Sequence, residues 1–414
     1  PSVSVAYVLT ELEPLRGNPI LTFAKVRGSF AQVGQAGRYY NNYYVRPDYT
    51  GGFWTNPPVV YPLNGITAYV PYAELYDPDL TPQNTNSFEV GFDVRLFHNR
   101  LSADYTFSRQ NIKNQIFPVP LAGSTGAAQY LTNGGKIHTD AHEINLNGQL
   151  YSSPDITWDL GVNFTVIRNR VDELAPGVTN IFLGGFVTPQ VRASVGDYYP
   201  VIYGTAFKRD DQGRILVDED PNSATYGMPM APGNPQVIRQ SAPDFTMGLN
   251  ISFRFRRLSV SATFSWRHGG DIYSGTNGLM DLYGVSKKTE DRTTPFVYPG
   301  YKSDGTPNDI VRGGADDPGA YETLYADVLG NIDESYIYDA SFFKLRDLTV
   351  KYQFPRIGIF DISLFAFARN VLLWAKMPNL DPESSQGNNN MSGTFERFSL
   401  PQTSSYGGGL TVTF

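Results

Sequence analysis

The chain has 414 residues and a formal net charge of −7, with 18% charged residues, 14% aromatic residues and no cysteine. The low charge and high aromatic content exclude a coiled coil or a disordered chain, and the lack of cysteine excludes disulfides, thiolate metal sites and thiol nucleophiles. The acidic balance argues against a nucleic-acid partner, since nucleic-acid surfaces usually carry a basic excess.

The apolar runs are too short for membrane-spanning helices. The longest runs, such as Val5 to Leu9, have five residues, whereas a spanning helix needs roughly 20. The strands of a membrane barrel need only about 9 to 11 residues that are apolar on alternate positions. The first residues show no signal peptide, which indicates that one was removed or that the sequence begins within a longer protein.

Apolar and polar side chains alternate with period two along most of the chain, which predicts an all-β protein. Weak strands near residues 2–10 and 22–33 come first, and the later strands form consecutive pairs. An apolar phase slip at residues 343–347 predicts a bulge. The remaining predicted strands cover 88–96, 101–107, 144–150, 156–166, 245–255, 258–266, 348–354, 362–368 and 406–414.

The connections alternate between short turns and long loops, which is typical of outer-membrane barrels. With Phe414 on the periplasmic side, every long loop falls outside the cell and the apolar strand face meets lipid. The opposite Ser, Thr, Asn and Arg face then lines a wet lumen. The predicted long loops are 34–86, 110–141, 169–243, 268–341 and 370–404.

The count of about eleven strands is odd, whereas bacterial single-chain barrels use even numbers. An open sheet in lipid would leave unpaired backbone groups at two edges, each costing several kcal/mol. We therefore predict a transmembrane antiparallel β-barrel in which this chain forms half of a 22-stranded plugged barrel.

Several stretches resemble motifs of the SusC/RagA family of TonB-dependent outer-membrane transporters of Bacteroidetes-type bacteria. They follow one another in the family's order and extend over nearly the whole chain. They are FAKVRGSF at 23–30 with Gly34, DPDLTP at 77–82, NSFEVGFD at 86–93, GGDIY at 269–273, FKLRDLTV at 343–350, RNVLL at 369–373, NLDPE at 379–383 and the closing stretch 401–414.

The resemblance implies that residues 1–414 are the C-terminal part of such a barrel, without the plug domain and the N-terminal strands. It also implies active import of an oligosaccharide or oligopeptide, energised by TonB-ExbB-ExbD through the missing N-terminal region. A SusD-like surface lipoprotein is the expected lid, and the rest of the barrel, the plug, membrane lipid and the cargo are the other partners. No cofactor, metal or nucleic acid is expected. The alternatives are a standalone outer-membrane adhesin or structural barrel and a soluble carbohydrate-binding β protein.

Tyrosines cluster in two predicted loops, where their flat amphipathic rings suit contact with sugars or peptides. The competing interpretation, which we favour, is that they pack the loops together or meet the lid. The candidate substrate-binding residues are Tyr39, Tyr40, Tyr43, Tyr44, Tyr198, Tyr199 and Tyr203.

The last strand ends in an aromatic residue on an alternating apolar face. This pattern resembles the signal read by the barrel-assembly machinery, and the competing interpretation is an ordinary lipid-facing strand. The residues concerned are Tyr406, Leu410, Val412 and Phe414.

Metal and enzyme sites find little support. The acidic stretch from Asp210 to Asp220 lacks the spacing of an EF-hand loop and favours a hairpin. His138 and His142 are four residues apart, the spacing of two zinc ligands on a helix, but His142 begins a predicted strand. No nucleophile motif or phosphate loop is present, so no enzyme is expected. Arg27, Arg254 and Arg267 fall on the lumen face, where they either hold anionic cargo or, as we favour, balance nearby acids.

Overall fold

Eleven antiparallel strands pair in chain order into one continuous sheet, which confirms the predicted strand number. The structure is a computed structural model that describes residues 1–36, 50–51, 59–60, 65, 74–125, 127, 129–386 and 393–414. The strands are β1 Ser2–Val8, β2 Leu21–Gln35, β3 Gln83–Leu96, β4 Leu101–Pro120, β5 Gln129–Ser152, β6 Ile156–Glu173, β7 Phe245–Phe255, β8 Leu258–His268, β9 Phe342–Gln353, β10 Asp361–Ala375 and β11 Ser405–Thr413. A short strand, Glu74–Tyr76, pairs in parallel with the start of β5.

The predicted bulge lies where β8 and β9 pair. Thr263 pairs with Asp347 and Phe264 pairs with Leu345, so Arg346 has no counterpart on β8. One extra residue in a strand moves all following side chains to the other face. The bulge therefore explains the slip of the apolar pattern at residues 343–347.

Short connections of two to twelve residues join the strands at one end of the sheet, and long connections leave the other end. The predicted loops 169–243, 268–341 and 370–404 agree with the described strand bounds to within six residues, whereas most of 34–86 lies outside the described residues. The fifth, 110–141, is wrong, because β4 continues to Pro120 and β5 begins at Gln129. These strands extend past the apolar band with water on both sides. The two strands therefore stay paired there although their sequences no longer alternate between apolar and polar residues, and the sequence gives no sign of the pairing.

The outward face of the sheet carries an apolar band of membrane thickness. Along β7, Phe245 and Phe255 lie ten residues apart at its two ends, which for a tilted strand corresponds to about 26 Å and matches the height of the lipid-facing band of membrane barrels. Beyond the outer edge, the outward positions become charged. Arg109, for example, pairs with Asp140 at 2.6 Å, and this change from apolar to charged side chains sets the outer limit of the band.

The inward face is polar, and its side chains bond across neighbouring strands. Asn163 donates to Asn145 Oδ1 at 2.5 Å, and Thr263 donates to Asn250 Oδ1 at 3.0 Å. Near the last strand the inward face instead carries aromatic rings, those of Phe365 and Phe367, which lie against glycines of β11. A Cβ on Gly409 would lie 2.7 Å from the ring of Phe365, so that ring packs directly on the glycine backbone.

Both edges of the described sheet lack a second neighbour. β1 pairs with β2, β11 pairs with β10, and the two edge strands do not pair with each other among the described residues. No helix in the described part of the chain is long and apolar enough to cross a membrane.

The long connections 174–244, 269–341 and 376–404 fold into further elements, which together we call the cap. A four-stranded antiparallel sheet and a three-stranded sheet dominate it, with the helix α1 at Gly275–Leu282. The four strands are Asn180–Gly185, Gln190–Ser194, Val201–Gly204 and Gln236–Gln240, and the three are Ile337–Asp339, Asp271–Ser274 and Phe395–Glu396. The other helical segments of the cap are α2 Ala320–Glu322, the π-helix Thr323–Val328, and the 3₁₀ turns Lys287–Thr289, Leu329–Asn331 and Asp333–Tyr336. Two further 3₁₀ turns, Leu9–Glu11 and Gly123–Thr125, lie outside the cap.

Candidate functional site

Three hydrophobic clusters bind the connections of the cap into one body. Phe395 of the last connection is fully buried against Val191 and Ile202 of the first. Another cluster joins Met377 to the connection 269–341 through Ile272. The third joins the first two connections through Phe207, Met228, Ala320, Leu324, Val328 and Ile332. Because each connection shares a core with the other two, the cap is a packed structure rather than a set of separate loops.

A buried ion cluster fixes the last connection to the barrel wall. Lys344 on β9 is 2% exposed, and its ammonium donates to Asp381 at 2.6 Å, Glu383 at 2.7 Å and Gln402 at 3.1 Å. Burial alone would raise the pKa of Glu383, but hydrogen bonds from Arg346 and Lys344 outweigh it and lower that pKa. All three of the lysine's donors are therefore satisfied, as a buried ammonium requires. We call this group the Lys344 cluster.

A second buried carboxylate joins the cap sheet to α1. Glu396 accepts hydrogen bonds from Ser274 Oγ at 2.9 Å and from Thr276 Oγ1 at 2.5 Å. Ser274 also caps α1, because its Oγ accepts a bond from the Asn277 N–H at 3.1 Å. A serine in this position satisfies a free amide of the first helical turn. The same contacts thus fix the start of α1 and the edge of the sheet.

Two adjacent acids tie the 3₁₀ turn Asp333–Tyr336 to the first connection. The Thr205 N–H donates to Asp333 at 2.8 Å, and the Phe207 N–H donates to Glu334 at 2.9 Å. Arg209 donates to Glu334 at 2.8 Å. Burial raises the pKa of Asp333, opposed by hydrogen bonds from Thr205 and Thr188. The backbone after residue 204 is therefore held in one position over the barrel.

A cavity of about 300 Å³ lies on the inward face at the outer end of β6, β7 and β8. We call it the mouth pocket. Its wall combines strand residues, such as Thr165 and Thr246, with cap residues of the first and last connections. Prominent among its lining residues are Asn169, Tyr199, Ser241, Thr246, Arg267 and Gly393.

Arg267 is the charged group of the mouth pocket. Its Nη2 donates to the Ser241 carbonyl at 2.8 Å, whereas its buried Nε has no partner. Among the described residues no ion pair includes Arg267, although the carboxylates of Glu383, Asp271 and Asp339 act on it over longer distance. Arg27 fits the favoured interpretation directly, since it pairs with Asp104 at 2.8 Å. A guanidinium in the wall of a cavity suits an oxygen-bearing ligand.

Three of the predicted tyrosines lie in the described part of the chain, each in a different setting. Tyr199 lines the mouth pocket, where burial raises the pKa of its hydroxyl and keeps it a donor. Tyr203 lies under Arg192, whose guanidinium is 3.9 Å from the ring centroid. Tyr198 is 41% exposed beside Arg168. The others, Tyr39, Tyr40, Tyr43 and Tyr44, lie outside the described residues. The pattern of loop tyrosines did not indicate Asn169 or Ser241, which the fold alone brings to the pocket.

The motif GGDIY forms the floor between the barrel and the cap. Gly269 and Gly270 have φ of +74° and +76°, and a Cβ on Gly270 would lie 2.5 Å from the Ser241 carbonyl oxygen. Only glycine fits this backbone. Burial raises the pKa of Asp271 to about 6, with Arg239 opposing the rise and Asp339 adding to it.

The motif DPDLTP has a structural role on the outer hairpin of β4 and β5. Thr132 donates to Asp77 at 2.6 Å, and the Thr81 N–H donates to Asn133 at 2.6 Å. Asn133 also donates to the Thr81 carbonyl at 2.8 Å. These bonds attach the end of the connection between β2 and β3 to the extended hairpin of β4 and β5. The motif therefore positions the start of β3.

The two segments considered as metal sites, the acidic stretch from Asp210 and the pair His138 and His142, make ordinary hydrogen bonds. Asp210 accepts bonds from the backbone N–H groups of Gln212 at 3.0 Å and Arg214 at 2.9 Å, which closes the turn. His138 lies 2.8 Å from an Asp172 oxygen on the barrel wall. No group of three or more potential ligands among the described residues could hold a metal ion.

The final strand points its apolar residues outward. Tyr406, Leu410, Val412 and Phe414 are 73%, 63%, 45% and 91% exposed. This position suits both a lipid-facing strand and an assembly signal, and the latter stays a prediction.

Comparison with known proteins connects this architecture to a family. A family model described as "TonB dependent receptor-like, beta-barrel" matches residues 1–371. TonB-dependent receptor P3 of Formosa agariphila is 24% identical over 422 residues, which cover 94% of this chain and 39% of that protein. TonB-dependent receptor P26 of the same organism is 23% identical over 447 residues, which cover 100% and 42%. The chain therefore spans about two fifths of the length of these relatives.

Solved structures share the fold at low sequence identity. The RagAB peptide importer in its closed-closed state matches with a TM-score of 0.69 and 16% identity, covering 100% of this chain and 43% of that chain. Its open-open state gives a TM-score of 0.67 and 17% identity, covering 100% and 42%.

Proposed function

The chain belongs to the TonB-dependent receptor-like β-barrel family, and from this membership we propose that it forms part of the barrel wall and the cap of an importer of oligomeric nutrients. TonB-dependent receptors are transporters rather than enzymes, and they lie in the outer membrane. The cargo is an oligosaccharide or oligopeptide that enters the barrel mouth from outside.

The mouth pocket is the observation that carries the proposal. It opens on the inward face of the barrel, where Tyr199 offers an aromatic wall and Arg267 offers a cationic guanidinium. Aromatic faces with a few fixed polar groups are typical of ligand sites, and sugars and peptides both present apolar faces beside oxygen acceptors. The buried anchors at Lys344 and Glu396 hold this wall rigid, so the pocket is formed before cargo arrives.

The two unpaired edges favour an importer over a standalone barrel. β1 and β11 would each leave a row of backbone groups unpaired in lipid, at several kcal/mol for each group. We propose that further strands of the same receptor pair with both edges and enclose a plug. The alternative of an adhesin or structural barrel made of this chain alone would have to close through β1 and β11, which do not pair in the described sheet.

The partners follow from the same proposal. A SusD-like lipoprotein would cover the cap, and TonB-ExbB-ExbD would act through a plug-bearing region of the receptor. Exposed apolar side chains on the cap, such as Val187 at 82% and Leu400 at 90%, support a protein partner on that side. Purification in mild detergent tests this: a lipoprotein should copurify with a receptor about two and a half times the length of this chain.

The test of the function is to fill the mouth pocket. Thr246→Trp places an indole on the inward face, at an exposed position where it removes no buried contact. Met247→Trp is the matched control, because the neighbouring side chain faces lipid. Uptake of a fluorescent nutrient oligomer by cells with equal receptor levels should fall at least tenfold for Thr246→Trp and stay unchanged for Met247→Trp. Equal uptake by both variants would refute the pocket as the cargo path.

A further inference from the structure

The cap contains a second cavity that the barrel does not reach. Its volume is about 190 Å³, and it lies between α1, the strand Asp271–Ser274 and residues 186–188. Its side-chain walls come chiefly from Phe186, Tyr273, Leu279, Leu282, Tyr336 and Arg397, with glycines between them. This described lining contains no carboxylate and no amide side chain. We call this cavity the cap pocket.

The cap pocket holds a buried donor without a partner. Tyr336 is 3% exposed, and its hydroxyl makes no hydrogen bond among the described residues. Gly278 faces the ring, and a Cβ there would lie 3.3 Å from it, so glycine permits the close packing. Burial raises the pKa of Tyr336, with Asp281 adding to the effect, so the hydroxyl keeps its proton at neutral pH. A buried donor left unpaired costs free energy that a ligand acceptor would recover.

The rim of the pocket carries a cation. The Arg397 guanidinium lies 5.0 Å from the centroid of the Phe186 ring and has no ion pair in the described part of the chain. The nearby acids are occupied elsewhere: Asp281 pairs with Lys288 at 3.3 Å, and Asp333 accepts the Thr205 N–H. Arg397 therefore stands beside the cavity, fixed by stacking and with its donors available.

We propose that the cap pocket binds a carboxylate of peptide cargo, with Arg397 pairing to the carboxylate and Tyr336 donating to it. A carboxylate only accepts hydrogen bonds, and the side chains around it here are donors and apolar walls. A sugar ring would bring several hydroxyl donors into a cavity whose side-chain acceptors are the hydroxyls of Thr188, Tyr273 and Tyr336, with no carboxylate or amide oxygen to receive the others. The leucines and the Phe186 ring suit the methylene groups that carry an acidic side chain. This inference rests on the proposed import of oligomers and assigns their class.

Direct binding tests the assignment. The full receptor, purified in detergent with its lipoprotein if one copurifies, is titrated with fluorescent decapeptides that differ only in Glu against Gln or in a free against an amidated C-terminus. Oligogalacturonate, a carboxylate-bearing glycan, serves as the competing ligand. Arg397→Ala and Tyr336→Phe remove the two donors. Arg256→Ala is the control, because Arg256 also stacks on an aromatic ring, at 5.5 Å, in the periplasmic turn.

The expected result is that carboxylate peptides bind at least tenfold more tightly than their amide counterparts. That preference should vanish in Arg397→Ala, weaken in Tyr336→Phe and persist in Arg256→Ala. Equal affinity for acid and amide peptides would overturn the inference, as would Arg397-dependent binding of oligogalacturonate without peptide binding. Uptake of an unselected peptide digest, blocked by Thr246→Trp, separates the outcomes: if it persists while the acid preference is absent, the importer stands and the cap pocket assignment fails.

Discussion

Replacing Lys344 with methionine should weaken the attachment of the last connection of the cap to the barrel wall, so that this segment opens more often. Methionine has a similar length but no charge, so it leaves Asp381 and Glu383 without the ammonium that lies 2.6 and 2.7 Å away. Removing one partner of a buried ion pair costs about 3 to 5 kcal/mol, because the remaining charge is left uncompensated.

The contacts that survive place the expected cost near the lower end of that range. Glu383 keeps Arg346, and its side chain is 26% exposed, so water screens part of the loss. Asp381 is 9% exposed and keeps only the Glu383 N–H at 3.0 Å among its side-chain partners. We therefore expect a loss of about 3 kcal/mol, carried mostly by Asp381.

Hydrogen exchange across residues 376–404 is the assay, because the cluster holds that segment rather than the whole barrel. A loss of about 3 kcal/mol should speed exchange through local opening by roughly two orders of magnitude. Lys351→Met is the control, since Lys351 lies on the same strand and is exposed, and it should change exchange little. The double variant Lys344→Met, Asp381→Leu should recover part of the loss. A change under about 1 kcal/mol in Lys344→Met would refute the reasoning.

Three further changes test other parts of the molecule. Leu249→Arg places a charge at the centre of the lipid face of β7 and should destabilise the barrel by about 2 to 4 kcal/mol in denaturant titrations in lipid. Asn250→Arg, on the lumen face, should not destabilise it. Equal effects of the two changes would contradict the assigned orientation. Gly409→Ala puts a methyl group 2.7 Å from the ring of Phe365 and should cost about 1 to 3 kcal/mol in the same titration, and a neutral result would show that the ring moves freely. Burial raises the pKa of Asp271 to about 6, above the ordinary value of about 3.9, so the stability that its proton confers is lost as pH rises through that interval. The protection of residues 271–274 against hydrogen exchange, taken relative to the intrinsic rate at each pH, should therefore fall from pH 4.5 to pH 7.5 in the wild type, and less so in Asp271→Asn.

The membrane part of the fold is readable from sequence because lipid imposes a strict rule on it. Each spanning strand must turn apolar side chains outward and satisfy its backbone by pairing, so period two is obligatory there. Even the bulge at Arg346 appears as a phase slip, because the residues on either side must still face lipid. Past the outer edge of the band, as in β4 beyond Arg109, both faces meet water and the same backbone pairing leaves no sequence pattern.

The cap could not be predicted in the same way, since its short strands depend on contacts between distant segments. Val191 and Ile202 become a core only when Phe395, about 200 residues later, packs on them. The mouth pocket has the same origin. Arg267 can be placed on the lumen face from the alternation of β8, but its contact with Ser241 depends on how the first connection folds back. Local pattern carries no information about such contacts.

The family-like motifs now have physical roles, and these roles bear on where specificity resides. Lys344 in one motif pairs with Asp381 and Glu383 in another, and Gly270 in a third allows the backbone to approach Ser241. These motif residues hold the cap to the barrel. The groups that we propose to meet cargo come from segments between the motifs: Tyr199 in the mouth pocket and Tyr336 and Arg397 in the cap pocket are examples. A receptor built in this way can change its cargo through those intervening segments while the Lys344 cluster keeps the cap in place. Exchanging such a segment should therefore alter ligand preference without loosening residues 376–404, whereas a change in the cluster should loosen that segment whichever cargo is bound.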